Sequence, residues 1–140
     1  MKTIHFHDEG EGLPVVWIHG FPLSSAMFEP QVAIAGFRHI RPDLPGFGKT
    51  PPPESQPSMA SYARDVLGVL DACGVRQAIV AGFSMGGYVA MQMVRDAPER
   101  FAALLLLDTR ETADSEEGRI ARMRQIEEVR QSGSTAGVID

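Results

Sequence analysis

The chain has 140 residues, the usual size of one domain, and 44% of them are apolar, which indicates a globular protein with a buried core. Its formal net charge of -5 provides none of the positive surface that binds nucleic acid or an anionic membrane. A single cysteine, Cys73, excludes an internal disulfide. The polar N-terminus and the short apolar runs predict neither a signal peptide nor a membrane span. We therefore expect a cytoplasmic protein without metal or cofactor.

Short apolar runs alternate with stretches of helical periodicity along most of the chain. The apolar runs have the length of strands and end at glycine, proline or polar residues, which predicts β-strands. The predicted strands are Val15–Ile18, His39–Arg41, Ala78–Ala81 and Phe101–Leu107, preceded by an N-terminal stretch in which His5 and His7 alternate with other residues. Four prolines between residues 50 and 58 predict an irregular surface loop.

Two stretches between these strands carry apolar residues at steps of three and four. The first runs from Met59 to Cys73, with Ser58 as its predicted N-cap and Gly74 as its predicted stop. The second runs from about residue 85 to 96 and is closed by a proline. Strands that alternate with helices of this length predict an α/β fold, a mostly parallel sheet with flanking helices.

The remainder of the chain contains two different kinds of segment. Phe101–Leu107 is apolar without alternation, which is typical of a parallel strand covered on both faces. Residues 114 to 131 have a thin apolar stripe among many charges, so we expect a helix that is exposed on most sides and whose stripe is covered by something else. The stripe consists of Ile120, Met123, Ile126 and Val129. Residues 132 to 140 offer no evident stop signal.

One segment carries a pattern with direct chemical meaning, Gly82-x-Ser84-x-Gly86, between a predicted strand and a predicted helix. A sharp strand-to-helix turn can hold a serine in a strained backbone conformation with its hydroxyl raised above the sheet. Glycine is needed two residues to either side because a side chain there would strike the neighbouring strand or helix. The pattern predicts Ser84 as a catalytic nucleophile with Gly82 and Gly86 in support; the alternative is a glycine-rich turn with an idle serine.

A serine nucleophile also needs two backbone N–H donors for the oxyanion that forms when an acyl carbon becomes tetrahedral. One donor comes from the residue after the nucleophile, here Met85 at the start of the predicted helix. The other comes from a loop after an earlier strand, and His19-Gly20-Phe21-Pro22 follows such a strand. We expect the Phe21 amide to be this donor, with Gly20 in structural support; the alternative is a plain glycine–proline turn.

Three motifs, in this order, resemble the N-terminal half of the α/β-hydrolase superfamily, and the similarity runs from about Thr3 to the end. They are His19-Gly20-Phe21-Pro22, Arg41-Pro42-Asp43-Leu44-Pro45-Gly46-Phe47-Gly48 and Gly82-Phe83-Ser84-Met85-Gly86-Gly87. The chain is most similar to the branch of aryl esterases and 3-oxoadipate enol-lactonase-like hydrolases, to which Leu107-Asp108-Thr109-Arg110 adds a further likeness.

The resemblance implies a division of the chain and a missing part. Residues 1–110 would form the N-terminal half of the hydrolase core, and residues 111–140 would begin the helical cap over the pocket. The fold would be truncated before its last two strands, because the family's chain continues for about as long again. The usual triad acid and the triad histidine lie on that further stretch in the family.

The four histidines of the chain all precede Ser84. The resemblance gives His19 a structural role, in which it braces the oxyanion loop by hydrogen bonding and does not act as the base. We predict that His39 lies on the strand surface and that His5 and His7 share one solvated face, with a two-histidine metal site as the alternative. Asp43 is predicted to hydrogen-bond its own turn.

Asp108 is a second carboxylate of interest because it ends the apolar strand Phe101–Leu107. In open α/β folds, ligands bind at the carboxyl edge of the sheet, where this strand ends. Some α/β-hydrolases take their triad acid from this strand end, so Asp108 is a candidate acid. The alternative, a turn or N-cap aspartate, is favoured by its position.

The sequence therefore predicts a serine hydrolase of small carboxylic esters or lactones that works through an acyl-enzyme on Ser84 but is incomplete, and inactive, as an isolated chain. A serine at this position argues against the chemistry of the family's haloalkane dehalogenases and epoxide hydrolases, which use a carboxylate nucleophile. The rival hypothesis is a non-catalytic or engineered half-domain. In either case we expect no nucleic-acid or membrane partner, and a homo-oligomer or a completing second chain that covers the apolar edge.

Overall fold

A computed structural model describes residues 4–134 of the protein. The chain divides into two compact units, one up to Arg110 and the other from Glu111 onward. Among the described residues, no helix is both long enough and apolar enough to cross a membrane.

The first unit is built on a five-stranded sheet with the strand order β1-β3-β2-β4-β5. The strands are β1 (Phe6–Glu9), β2 (Leu13–Ile18), β3 (Phe37–Pro42), β4 (Ala78–Phe83) and β5 (Phe101–Leu107). β1 runs antiparallel to β3, and every other neighbouring pair is parallel. The sheet is thus mostly parallel, as the sequence predicts, with strands β2, β3 and β4 longer than their apolar runs indicate.

Two helices of this unit, α1 (Met59–Ala72) and α2 (Met85–Asp96), have bounds close to those predicted. The Ser58 hydroxyl accepts the Ser61 N–H at 3.1 Å, and the Ser58 N–H donates to the Ser61 hydroxyl at 2.8 Å. This reciprocal cap satisfies amide groups that the first turn of α1 cannot pair internally. At the other end, Gly74 has a φ of +67°, which a glycine adopts without strain, and the helix stops there.

The sheet carries a hydrophobic core on each face. On one face, α1 and α2 pack over β2, β3 and β4, and the largest fully buried apolar side chains include Ile18, Ile40, Leu70 and Met93. A 3-10 helix over Ser25–Ala33, which the sequence did not predict, packs Phe28 against Val15, Trp17 and Ala81 on the other face. No helix was predicted here because the segment contains Pro30 and lacks an apolar pattern with a period of 3.6 residues.

The prediction that His39 lies on the strand surface was wrong. Its side chain is buried, its Nδ1 accepts the Trp17 indole N–H at 3.1 Å, and its Nε2 lies 3.0 Å from the Ile34 carbonyl oxygen. The charged neighbours suggested exposure, but Arg41 is itself buried and pairs with Glu9. A long side chain can be accommodated in this way when its charge finds a partner at the edge of the core.

Strand β5 is parallel to β4, as predicted, but the expected cover on both of its faces is not found among the described residues. Ala102 to Leu106 are exposed, and Leu104, Leu105 and Leu106 retain 39%, 37% and 46% of their accessible surface. Among the strands of residues 4–134, β5 lies at the edge of the sheet and pairs with β4 alone. An exposed apolar edge of this kind recruits further strands or partners.

The second unit contains helix α3 (Glu116–Ser132). The Ser115 hydroxyl caps its first turn by accepting the Gly118 N–H at 3.2 Å. The expectation that no stop signal follows residue 132 was wrong, because Gly133 has a φ of +66° and donates its N–H to the Val129 carbonyl. The apolar stripe of α3 is largely exposed, and residues 135–140 lie outside the described part of the chain.

Helix α2 approaches strands β2 and β4 so closely that its contact points accept only glycine. A side-chain carbon on Gly86 would overlap the Ile18 carbonyl oxygen and lie 2.8 Å from that of His19. A side-chain carbon on Gly82 would overlap the Gly86 carbonyl oxygen and lie 2.8 Å from the Gly87 Cα. These neighbours are backbone atoms, so an added methyl group would force the helix away from the sheet.

We therefore expect Gly86→Ala to lower the free energy of unfolding by more than about 2 kcal/mol, in the range of overpacked cores. Gly68→Ala is the matched control, since a side-chain carbon at Gly68 on the exposed side of α1 meets nothing within 4 Å. There alanine should raise the stability by about 0.5–1 kcal/mol through its higher helix propensity. Urea unfolding followed by circular dichroism measures both changes, and similar effects at the two positions would contradict the close approach.

Candidate active site

Ser84 occupies the turn between β4 and α2 with a φ of +50° and a ψ of -113°. Residues other than glycine rarely adopt this conformation, which costs on the order of 1–3 kcal/mol and persists only when the surroundings fix it. Ser84 is half-buried, and it precedes the first residue of α2. The strained residue is therefore one that solvent and ligands can reach.

Three hydrogen bonds hold the Ser84 backbone in this conformation. Its N–H donates to the Leu107 carbonyl at 3.0 Å, and its own carbonyl accepts the Gly87 N–H at 2.9 Å and the Thr109 hydroxyl at 2.8 Å. Thr109 also lies against Gly87, where a side-chain carbon would come within 2.5 Å of the Thr109 Cγ2. No role was predicted for Thr109, although its hydroxyl lies two residues beyond β5, the strand beside β4, and this position was the available signal.

The loop that follows β2 passes directly beside Ser84. A side-chain carbon on the buried Gly20 would lie 3.2 Å from the Ser84 Cβ and 2.9 Å from the Phe83 ring. The Gly20 carbonyl accepts the Leu23 N–H at 2.9 Å, which closes a turn around Phe21. Phe21 is thus one residue from the point of closest approach, and its side chain is 50% exposed.

Met85 is the first residue of α2. Amide groups in the first turn of a helix have no acceptor within the helix, and the aligned peptide dipoles give this end a partial positive charge. The amide of Met85 therefore belongs to a positive helix end that begins at Ser84. An anion formed on the Ser84 side of this turn is electrostatically favoured there.

His19 is fully buried, and both of its ring nitrogens are engaged. Nε2 accepts the Leu44 N–H at 3.0 Å, so the ring proton is on Nδ1, which donates to the Gly20 carbonyl at 3.0 Å. Burial lowers the pKa of His19 below its usual value of 6.5, while the bond to Gly20 and the charge of Asp43 act in the opposite direction. A histidine held in this tautomer has no free lone pair with which to take a proton from a serine.

Asp43 fixes the segment that follows β3. Its Oδ1 accepts the Ser25 N–H at 2.8 Å, and its Oδ2 accepts the Lys49 N–H at 3.0 Å and lies 3.0 Å from the His5 Nδ1. The bond to Lys49 closes the carboxylate's own turn as predicted, whereas those to Ser25 and His5 were not predicted. Burial alone would raise the pKa of Asp43, but these hydrogen bonds outweigh it and lower the pKa below the usual 3.8.

The other candidate residues are less engaged with Ser84. Asp108 follows Leu107, whose carbonyl binds Ser84, and it is exposed with a φ of +43°, a conformation that aspartate tolerates better than most residues. His5 and His7 are half-buried and pack edge to face with ring centroids 5.0 Å apart, so their predicted face is only partly solvated. Within residues 4–134, no cluster of three or more histidine, cysteine or acidic side chains could hold a metal ion.

The buried His19 predicts a specific pH dependence of stability. The folded protein keeps His19 neutral, while the unfolded chain takes up a proton as the pH falls through about 6.5. The contribution of His19 is thus complete above that pH and is lost as the pH falls toward the lowered pKa. His19→Gln retains a hydrogen-bond acceptor but does not titrate.

Between about pH 8 and pH 5.5, the wild-type chain should therefore lose more of its free energy of unfolding than His19→Gln does. Urea titrations of both chains at the two pH values measure the loss of unfolding free energy in each. Subtracting one loss from the other cancels the contributions of the titrating groups that the two chains share. An equal loss in the two chains would contradict a neutral, buried His19.

Comparison with known proteins places this geometry in a family. The sequence model of the alpha/beta hydrolase fold family matches residues 14–130. A curated relative, the AB hydrolase superfamily protein YisY of Bacillus subtilis, is 38% identical over 109 residues, which are 75% of this chain and 41% of the relative. The chain is also similar to the solved structure of a thermophilic esterase from Thermogutta terrifontis, with 39% identity and a TM-score of 0.88 over 97% of this chain and 50% of that one.

A second solved structure, the N-acyl homoserine lactonase AidH complexed with N-butanoyl homoserine, has 35% identity and a TM-score of 0.74 over 80% of this chain and 43% of that one. The chain thus spans about two-fifths of the length of most of the curated relatives that it matches and half or less of these two solved structures. The predicted fold class and family are confirmed: this chain belongs to the alpha/beta hydrolase fold family.

Proposed function

We propose that the protein is a serine hydrolase of small carboxylic esters or lactones, with Ser84 as its nucleophile. The observation that carries this proposal is the backbone of Ser84, held at a φ of +50° by hydrogen bonds from two segments at the carboxyl edge of the sheet. A strained serine on a strand-to-helix turn, the nucleophile elbow, is the arrangement that exposes a hydroxyl to a substrate carbonyl. An idle serine would gain nothing from a conformation of this cost.

The reaction would proceed in two halves through an acyl-enzyme. The Ser84 Oγ attacks the carbonyl carbon while its proton passes to a base, and the tetrahedral oxyanion is stabilised by the backbone N–H groups of Phe21 and Met85. The C–O bond to the alcohol then breaks, and the base returns the proton to the leaving oxygen. Water, activated by the same base, attacks the acyl group and restores the Ser84 hydroxyl.

The base of this scheme lies outside the chain's own histidines. His19 and His39 each hydrogen-bond through both ring nitrogens, and the His5 Nδ1 lies against the Asp43 carboxylate. His7 packs on His5 and lies on β1, which β3 and β2 separate from β4 and Ser84. We therefore propose that a histidine beyond these 140 residues, on a longer form of the protein or on a second chain, completes the site. Asp108, at the end of β5, is our candidate for the acid that would orient this histidine.

The substrate class rests on the similar proteins, of which one is an esterase and another an N-acyl homoserine lactonase. Esters and lactones share the acyl carbon that a serine attacks, so one site chemistry covers both. We propose further that residues 1–110 form the N-terminal half of the hydrolase core and that residues 111–140 begin a cap. A cap would shape most of the pocket and so select among substrates.

A second candidate function is a half-domain whose role is assembly with a partner. It is favoured by the exposed leucines of β5, which form an apolar edge on a parallel sheet. The partner would be a completing chain or a second copy. The two candidates differ in whether Ser84 reacts: a fluorophosphonate adduct on Ser84, seen by intact-mass spectrometry, supports the hydrolase, and its absence from the completed assembly supports the half-domain.

In any preparation that hydrolyses p-nitrophenyl butyrate, Ser84→Ala should reduce kcat by about 10⁵-fold or more, to near background, because the group proposed to form the acyl-enzyme is removed. Stability should change by less than about 1 kcal/mol, since alanine occupies the same turn. Ser55→Ala, on the exposed proline-rich loop, is the control and should keep full activity. Undiminished turnover by Ser84→Ala would assign the activity to another site.

The isolated 140-residue chain should hydrolyse the same ester at least about 10³-fold more slowly than the median enzyme kcat of about 10 s⁻¹, because a serine without a base is a weak nucleophile. Addition of a polypeptide that covers the second half of the Thermogutta terrifontis esterase should raise the rate. Leu104→Lys on β5 should block this gain, whereas Leu13→Lys, at an exposed leucine elsewhere, should not. Esterase-level turnover by the isolated monomer would refute the missing base.

A further inference from the structure

The ring of Phe47 lies between two residues of the loop that follows β2. Its centroid is 5.2 Å from that of His19 at an interplanar angle of 69°, and 5.9 Å from that of Phe21 at 90°. Both are edge-to-face contacts, which aromatic pairs prefer because the positive ring edge meets the negative ring face. Phe47 therefore connects the buried beginning of the loop to its exposed tip.

Phe47 is presented by a turn whose position is fixed. Its N–H donates to the Leu44 carbonyl at 2.9 Å, and its carbonyl accepts the Thr50 N–H at 3.0 Å. The next residue, Gly48, has a φ of +53°, and a side chain there would overlap the carboxyl group of Asp43. Because the Asp43 carboxylate is itself buried and bound to three segments, the turn has little freedom to move the Phe47 ring.

The tip of the loop, in contrast, has little packing of its own. Phe21 and Leu23 retain 50% and 42% of their accessible surface. The loop is anchored at Gly20, which is buried, and by the hydrogen bond from the Leu23 N–H to the Gly20 carbonyl. Between these anchors, the Phe21 side chain has the edge-to-face contact with Phe47.

We propose that Phe47 is a positioning residue that holds the Phe21 backbone N–H in the orientation in which it binds the oxyanion. The inference rests on the proposed function, because it assigns a role in the same reaction. A donor stabilises a transition state only if it is already oriented when charge develops, within roughly 0.5 Å of the productive geometry. A ring that is rigidly mounted on a neighbouring loop supplies this restraint without touching the substrate.

The alternative role for Phe47 is that of a pocket wall that binds the substrate's apolar part. The two roles separate kinetically. A wall binds the ground state and the transition state alike, so its loss raises KM with kcat unchanged, whereas a positioning residue acts on kcat.

The first test measures the loop directly and needs no activity. The ¹⁵N relaxation of the Phe21 amide is compared between the wild-type chain and Phe47→Leu, which keeps apolar packing on the core but lacks the ring. We expect the order parameter of this amide to fall from about 0.85 to below about 0.6. Phe37→Leu, at a half-buried phenylalanine of the opposite core cluster, should leave it unchanged, and an unchanged Phe21 amide in Phe47→Leu would overturn the proposal.

The second test uses the hydrolytically active assembly with p-nitrophenyl butyrate. Phe47→Leu should lower kcat about tenfold, less than the 10²–10³-fold typical of a donor that is removed outright, with KM within about twofold. Phe47→Tyr should restore kcat because the ring is retained. Phe21→Ala should lower kcat by the same factor as Phe47→Leu. The double variant should lower kcat no further than either single variant, since both substitutions remove the same contact between the two rings.

The outcomes distinguish this inference from the proposed function. A raised KM with full kcat would assign Phe47 to the pocket wall, and additive losses in the double variant would separate it from Phe21; either overturns the inference while the nucleophile stands. Full activity of Ser84→Ala would refute the proposed function. The catalytic role of Phe47 would then be overturned as well, and a more mobile Phe21 amide in Phe47→Leu would show only that Phe47 restrains the loop.

Discussion

The distance between helix α2 and the strands beneath it governs the rest of the structure. At Gly86 the helix backbone lies against the Ile18 carbonyl, and at Gly82 the strand backbone lies against the start of the helix. This approach sets the sharpness of the turn at Ser84 and leaves no room for a relaxed backbone there. The turn is then closed from the side by the end of β5, through the bonds of Ser84 to Leu107 and Thr109. Three consecutive strands of the sheet, β2, β4 and β5, thus cooperate to fix one residue.

A second, polar layer of organisation joins the loops at the same edge of the sheet. His19 links the loop after β2 to Leu44, and Asp43 links the segment after β3 to Ser25 and His5. Buried polar groups of this kind are costly unless their hydrogen bonds are made, and the bonds to Leu44, Ser25 and His5 each join residues at least 18 positions apart in the chain. The geometry of the candidate site therefore depends on tertiary contacts as much as on the local turn, and a local sequence motif alone cannot hold it.

The sequence predicted those features that depend on local chemistry and periodicity. Apolar spacing, capping residues and glycines can be recognised directly in the sequence. They predicted the bounds of α2, the cap of α1 at Ser58 and the parallel pairing of β5. The family and fold class followed from three motifs in order. Features that depend on a partner distant in sequence were missed. The buried His39 is bonded to Trp17 on another strand and to Ile34 at the end of the 3-10 helix, and the role of Thr109 requires β5 to lie beside β4. Gly133 was missed for a simpler reason. A single glycine in a polar segment is recognised as a helix stop only when the end of the preceding helix is known.

The pairing of Trp17 with His39 has a consequence for how this molecule can be observed. Trp17 is the single tryptophan of the chain, it is buried, and its indole N–H is bound to an imidazole whose plane is tilted by only 14° from its own. It lies on β2, two residues before His19, in contact with the core on the side opposite α1 and α2. An apolar environment shifts indole emission to shorter wavelength than water does. The protein thus carries an intrinsic optical probe at the strand that leads into the candidate site, sensitive to opening of that core.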